Sequence, residues 1–290
     1  MIDAVGEAQR ALLVRFAAPE ARAGFEALFT IEREVLTSAA RHLDHSVAHA
    51  RLEFWADELR LTANGSPRHP ATRTLLAQSL YFGHSPPDLQ ALCEVAELAL
   101  ARAAYTRREE LDVPLAAWTR ALFRSLVLFE LACAARTEGC DPHALRGPAE
   151  AFATRAGPVV RELELLARVI SHAHDGNVYV VLADPGESHE LWQRAPLAEH
   201  CRRVLEDRVT ELRAQLRAVA AAADSGLRTA IGSAYAWCAL ADQRARHTLD
   251  ASPREYVDAR FDPLRRTIAA WRAAVACRRG RIPAALMEPA

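Results

Sequence analysis

Acidic and imidazole side chains in this 290-residue chain recur at spacings that allow joint chemistry. Glu32 and Glu34 stand in one helical run, Asp57 and Glu58 in another, and Asp175 follows His172 and His174 directly. Carboxylates four residues apart on a helix share a face and can hold a divalent cation together. Glu32 and Glu34 are two apart, so they point to different sides. Glu32 also falls on the apolar face of its run, which calls for an arginine from another helix or for a polar cavity. A paired structural carboxylate is the expectation. Asp57 and Glu58 read as a solvated or salt-bridged helix face. His42, His45 and His49 would converge on a metal only if one helix passed through all three. Asp44 and Ser46 are N-cap types that break such a helix, so these histidines read as surface groups. His172, His174 and Asp175 lie at a predicted helix end, where a polar cluster with charged imidazole is favourable. A histidine-based metal hydrolase is therefore the weakest reading.

The elements that must position these groups are helices. From Arg51 to Leu75 the chain reads RLEFWADELRLTANGSPRHPATRTL. Leu52, Trp55 and Leu59 form one apolar stripe, which makes Trp55 a core residue. Asn64 and Gly65 suit a left-handed helix stop, and Pro67 and Pro70 mark a rigid connector with Pro70 opening a new helix. His69, between the prolines, reads as a connector residue that caps a neighbouring helix. Upstream, helices are predicted over 3–17 and from Ala21 to about His42. Downstream they are predicted over 87–106, from Pro114 to about Arg136, over 148–174, about 188–222 with a break at Pro196, about 226–249 and about 253–277. Ser225 and Ser252 are the predicted N-caps of the last two. The string DGNVYVVLADPGES reads as a turn and a short extended piece. No internal repeat or low-complexity linker interrupts this, so the prediction is all-α over 1–290 as one domain.

Hydrophobic residues at 51% and charged residues at 25% supply ample core. The formal net charge of −1 does not suggest a nucleic-acid partner held by a basic surface. All 36 basic residues are arginine, which base composition explains. Six cysteines without a C-x-x-C pair read as buried free thiols in a reducing compartment. Asp3 and Glu7 interrupt the N-terminus, and no uncharged run approaches the ~20 residues of a spanning helix. A cytoplasmic protein that can touch a membrane surface is expected.

Arg51, Leu52, Trp55, Glu58 and Leu59, then Gly65, Pro67, His69 and Pro70, resemble the R-L-x-x-W-x-x-E-L and G-x-P-x-H-P pattern of the squalene/phytoene synthase family. The resemblance implies an isoprenoid-synthase helical bundle around a central cavity, with Trp55, Glu58, Gly65, Pro67, His69 and Pro70 as its motif residues. In that family two helices carry aspartate-rich motifs. Their carboxylates hold Mg²⁺, which grips a substrate diphosphate and neutralises the departing oxygens. Ala27 to Arg33 (ALFTIER) resembles the entry to the first motif, yet Val35, Leu36, Thr37, Ser38, Ala39 and Ala40 follow. Gly176, Asn177, Val178 and Tyr179 resemble the start of the piece after the second motif, and counting back puts Arg168 and His172 where its aspartates belong. Both aspartate motifs are missing.

The resemblance is thus to a branch without the acids, similar to the mitochondrial complex I assembly factors. It implies a non-catalytic protein that binds an isoprenoid or other apolar ligand, or a protein partner, and needs no metal or other cofactor. The alternative is an active prenyltransferase that couples isoprenyl diphosphates with Mg²⁺ held by rearranged acids, drawn from Glu32, Glu34, Asp57, Glu58 and Asp175. Arg33, Arg51 and Arg168 would be the metal-free route to a diphosphate, because guanidinium binds phosphate through two parallel hydrogen bonds.

Overall fold

The computed structural model describes residues 4–40, 43–101, 104–181, 189–193, 197–250 and 263–287. In chain order the helices are α1 (Ala4–Phe16), α2 (Arg22–Ser38), α3 (His45–Ala63), α4 (Pro70–Tyr81), α5 (Ala91–Ala101), α6 (Arg108–Trp118), α7 (Arg124–Thr137), α8 (Pro142–Leu166), α9 (Val169–His174), α10 (His189–Gln193), α11 (Glu199–Ala222), α12 (Ser225–Ala230), α13 (Gly232–Asp250) and α14 (Pro263–Arg278). Two short strands, β1 (Ala104–Tyr105) and β2 (Val178–Val181), pair in parallel. The architecture is all-α, as periodicity predicted. The predicted extended piece is β2.

Helices α2, α7, α8 and α13 carry the longest runs of buried residues, and the core between them is aromatic. Trp237 on α13 meets the rings of Phe29, Trp118 and Phe123, each 5.4 Å from centroid to centroid. Phe152 stacks on Tyr235 at 4.7 Å. Such pairs add about 0.5–1.5 kcal/mol each beyond the area they bury. Close backbone approach is built in with glycine: a Cβ on Gly24 would lie 2.2 Å from the Phe129 ring, and one on Gly157 would lie 2.3 Å from Thr119 Cγ2.

The connector after α3 follows its sequence pattern closely. Gly65 has φ +77°. Its N–H bonds to Thr62 O, and Ser66 N–H reaches back to Leu61 O, the paired bonds of a Schellman stop. His69 Nδ1 then accepts from Ala71 N–H at 3.2 Å and so caps α4, which begins on Pro70.

Several boundaries differ from prediction for identifiable reasons. Helix α6 begins at Arg108 and runs through Pro114. Glu109 and Glu110 in its first turn favour the helix dipole, and burial of Leu111, Leu115 and Trp118 outweighs a proline cost of about 3 kcal/mol. A π turn over Thr119–Phe123 joins α6 to α7. The helix predicted over 148–174 starts earlier, at Pro142 behind its Asp141 cap, and breaks between Leu166 and Val169. The helix predicted over 226–249 breaks at Ile231. Its cap is Asp224, which accepts from Leu227 N–H at 2.7 Å, and Ser225 is the first helical residue. Of the final predicted helix the described part is Pro263–Arg278, and residues 253–262 lie outside the described residues. His42, Pro196 and Ser252 lie outside the described residues. All six cysteines are free, and all but the half-buried Cys140 are buried.

Candidate functional site

Glu32 is fully buried on α2, and its partner comes from α1. The Arg10 guanidinium donates to Glu32 Oε1 at 3.0 Å and Oε2 at 3.2 Å. The same guanidinium bonds both oxygens of Glu164 on α8, with the second contact at 3.0 Å. The Trp118 indole N–H donates to Glu32 at 2.9 Å, and that of Trp237 donates to Glu164 at 2.8 Å. Arg161 adds a contact to Glu164 at 3.4 Å. Arg10 also lies over the Trp237 ring, 4.5 Å from its centroid. Burial alone would raise the Glu164 pKa, but the Arg10 charge and its hydrogen bonds hold it down to about 2. The carboxylates of α2 and α8 thus face each other across a tethered cation.

Glu162 is closed in the same manner. Arg108 approaches it at 2.6 and 2.8 Å, and Arg208 from α11 holds both its oxygens at 2.8 Å. These forks keep its pKa low against the effect of burial.

The two windows expected to carry aspartates do meet in space. A cavity of roughly 280 Å³ lies between the end of α2, α5, α8 and the turn after α9. Leu36, Ala39 and Ala40 line one wall, and His172, His174 and Asp175 line the other, with Arg161 between them. His172 is buried, and burial first, then the charges of Arg168, Arg161 and Arg244, push its pKa well down. It is therefore neutral at physiological pH, and Arg161 is the one arginine among the residues lining the cavity. Among the described residues no group of three or more His, Cys, Asp or Glu is arranged to hold a metal ion. Mg²⁺ needs carboxylate oxygens. Glu32, Glu162 and Glu164 are bound by arginines, and Asp175 is the acid that lines the cavity.

The candidates read from sequence are dispersed. Glu34 is half-exposed beside His69, 3.9 Å away. Asp57 is exposed and pairs with Arg60 at 2.7 Å. Glu58 corrects the expectation of a solvated face. It is buried, and its Oε1 accepts from Arg68 N–H and His69 N–H at 2.8 Å and from Thr72 Oγ1 at 2.6 Å. Its i, i+3 spacing from Trp55 places it beside the core stripe, so it anchors the connector to the helix before it. Trp55 is buried and meets the His69 ring edge-on at 4.9 Å. Arg33 and Arg51 are exposed, and neither they nor Arg168 line the cavity. Arg168 instead precedes α9 and reaches Ser171 Oγ at 3.5 Å. His45 and His49 sit one turn apart on α3 with ring nitrogens 3.0 Å apart, exposed. Sequence reasoning missed Arg10 and Arg161. The available signal was Glu32 on an apolar face, which required a cationic partner without saying which of 36 arginines supplied it.

Neither a family model nor a curated protein sequence matches the chain. The helical arrangement is that of a squalene synthase-like, isoprenoid-synthase fold. Among solved structures the chain is similar to the squalene synthase HpnC from Alicyclobacillus acidocaldarius, with a TM-score of 0.58 over 85% of this chain and 88% of that one. At 15% identity the likeness establishes the fold alone.

Proposed function

We propose that this chain is a binding protein on a squalene synthase-like fold and does not carry out metal-dependent prenyl coupling. The observation that carries the reading is Arg10, whose guanidinium ties down both facing carboxylates, Glu32 and Glu164. The cavity pairs an apolar wall (Leu36, Ala40, Val95, Ala99) with a polar one that holds Arg161, His172, His174 and Asp175. This suits one apolar chain ending in an anionic head, held by guanidinium without metal. Its volume lies at the low end of the ~300–1,000 Å³ usual for ligand pockets, room for one such ligand. An isoprenyl phosphate is the class that fits both walls.

The experiment is equilibrium binding of farnesyl phosphate and farnesyl diphosphate in EDTA, alongside diphosphate release with added Mg²⁺. Binding in EDTA is expected, with Arg161→Gln weakening it roughly 10- to 100-fold, the worth of one charge-assisted pair. Circular dichroism confirms that the variant is folded. Metal-dependent release of diphosphate would overturn the reading. Absence of binding in the folded protein would move the function to a protein partner.

A further inference from the structure

Helix α14 places its large and small apolar residues the opposite way round from a helix that serves only the core. Its packed side, against α13 and α1, is made of Ala270, Ala273, Ala274 and Cys277. Leu264, Ile268 and Trp271 fall at i, i+4 and i+7 on the opposite side and are 65%, 38% and 51% exposed. The other four tryptophans, at 55, 118, 192 and 237, are all at most 2% exposed. An indole left in water at the end of an aliphatic stripe marks a surface that something covers.

The charge around the stripe identifies the covering surface. At 100° per residue, Arg265 and Arg272 follow one flank and Arg278 stands on the other, with Arg279 in the turn that follows. All four are exposed, as is Arg281 just beyond the helix. Residues 263–287 contain six arginines and no aspartate or glutamate, in a chain whose formal net charge is −1. The positive charge is therefore segregated locally. No helix among the described residues is long and apolar enough to cross a membrane.

We propose that α14 docks on an anionic lipid bilayer and lies in the plane of the interface. Leu264, Ile268 and Trp271 enter the boundary between head groups and acyl chains, and the flanking arginines meet lipid phosphates. A narrow apolar stripe with tryptophan in it and cations beside it is the pattern of an interfacial helix. The inference does not depend on what occupies the cavity beside Arg161.

The test uses the full chain with vesicles of phosphatidylcholine alone and with about 30% phosphatidylglycerol added. Flotation measures binding, and blue-shifted emission with quenching by brominated lipid reports on Trp271, the one exposed indole. Binding is expected only to the anionic vesicles. Arg272→Glu/Arg279→Glu should weaken it at least about 30-fold, since each basic side chain near such a surface is worth about fivefold. Ile268→Ser/Trp271→Ser changes exposed positions only and should abolish flotation without altering the circular dichroism spectrum. Failure to bind either vesicle, with an acidic protein captured instead, would overturn the proposal. So would anionic binding that persists unchanged in Ile268→Ser/Trp271→Ser.

Discussion

Arg10→Met keeps the length and apolar stem of the side chain and deletes its charge. Arg10 is buried, and its side-chain partners Glu32 and Glu164 are 0% and 5% exposed. Removing one member of a buried ion pair costs about 3–5 kcal/mol, because the survivor is left charged and desolvated. Here two carboxylates survive, but proton uptake caps the penalty. Glu164 at about 2, against an ordinary 4.5, corresponds to about 3 kcal/mol of stabilisation, which agrees with that range. In the native protein this lowered pKa contributes stability that is complete above about pH 4.5 and is lost as pH falls toward 2. In the variant, burial without the Arg10 charge raises the Glu164 pKa. The folded state then holds more protons than the unfolded one, and stability climbs on acidification from about pH 8 to 5. Urea unfolding followed by circular dichroism at both pH values measures this. The expected loss is roughly 3–5 kcal/mol at pH 8 and clearly less at pH 5. Arg10→Met/Glu32→Leu/Glu164→Leu should regain part of the loss. Its limit is that the Trp118 and Trp237 N–H groups lose their acceptors, at about 1–3 kcal/mol each. An Arg10→Met protein within about 1 kcal/mol of native at both pH values would refute the reasoning.

Glu130 on α7 gives the opposite pH signature. Burial raises its pKa to about 7, partly offset by hydrogen bonds from Ser233 and Ala234 N–H at the start of α13. The folded state therefore binds the extra proton, and stability falls as pH rises from about 4.5 through 7, by about 3 kcal/mol in total. Glu130→Gln should remove that slope, so a difference curve between native and variant that stays flat from pH 5 to 8 would exclude it. Two glycines on α8 form a matched pair. Gly157→Ala drives a Cβ into Thr119 and should cost about 1–3 kcal/mol, whereas Gly147→Ala meets no atom within 4 Å and should gain about 0.5–1 kcal/mol by helix propensity. Equal thermal midpoints for the two would show that α8 and the π turn are not in contact. Glu58→Ala strips three donors of their acceptor and should lower stability by about 2–4 kcal/mol, with the connector at Arg68 and His69 first to lose hydrogen-exchange protection. Native-like protection there would count against its anchoring role.

Local chemistry was legible wherever a few neighbouring residues decide the outcome. Asn64 and Gly65 stop a helix through backbone geometry, Asp44 and His69 cap the helices that follow them, and the spacing of Leu52, Trp55 and Leu59 requires one buried stripe. These signals determined an all-α chain, and the sequence likewise places no aspartate from Val35 to Ala40, and Arg168 and His172 upstream of Gly176. What lay beyond them depended on contacts between residues far apart in the chain. Glu32 on an apolar face demanded a cation, but Arg10 is 22 residues away from it and 154 from Glu164, and nothing local pairs them. The break before α13 likewise depends on Glu130, 103 residues upstream, accepting the N–H of Ser233. Solvated, an arginine or a glutamate on a helix contributes little to stability. Only packing that removes water makes its partner obligatory, and packing is a property of the assembled helices.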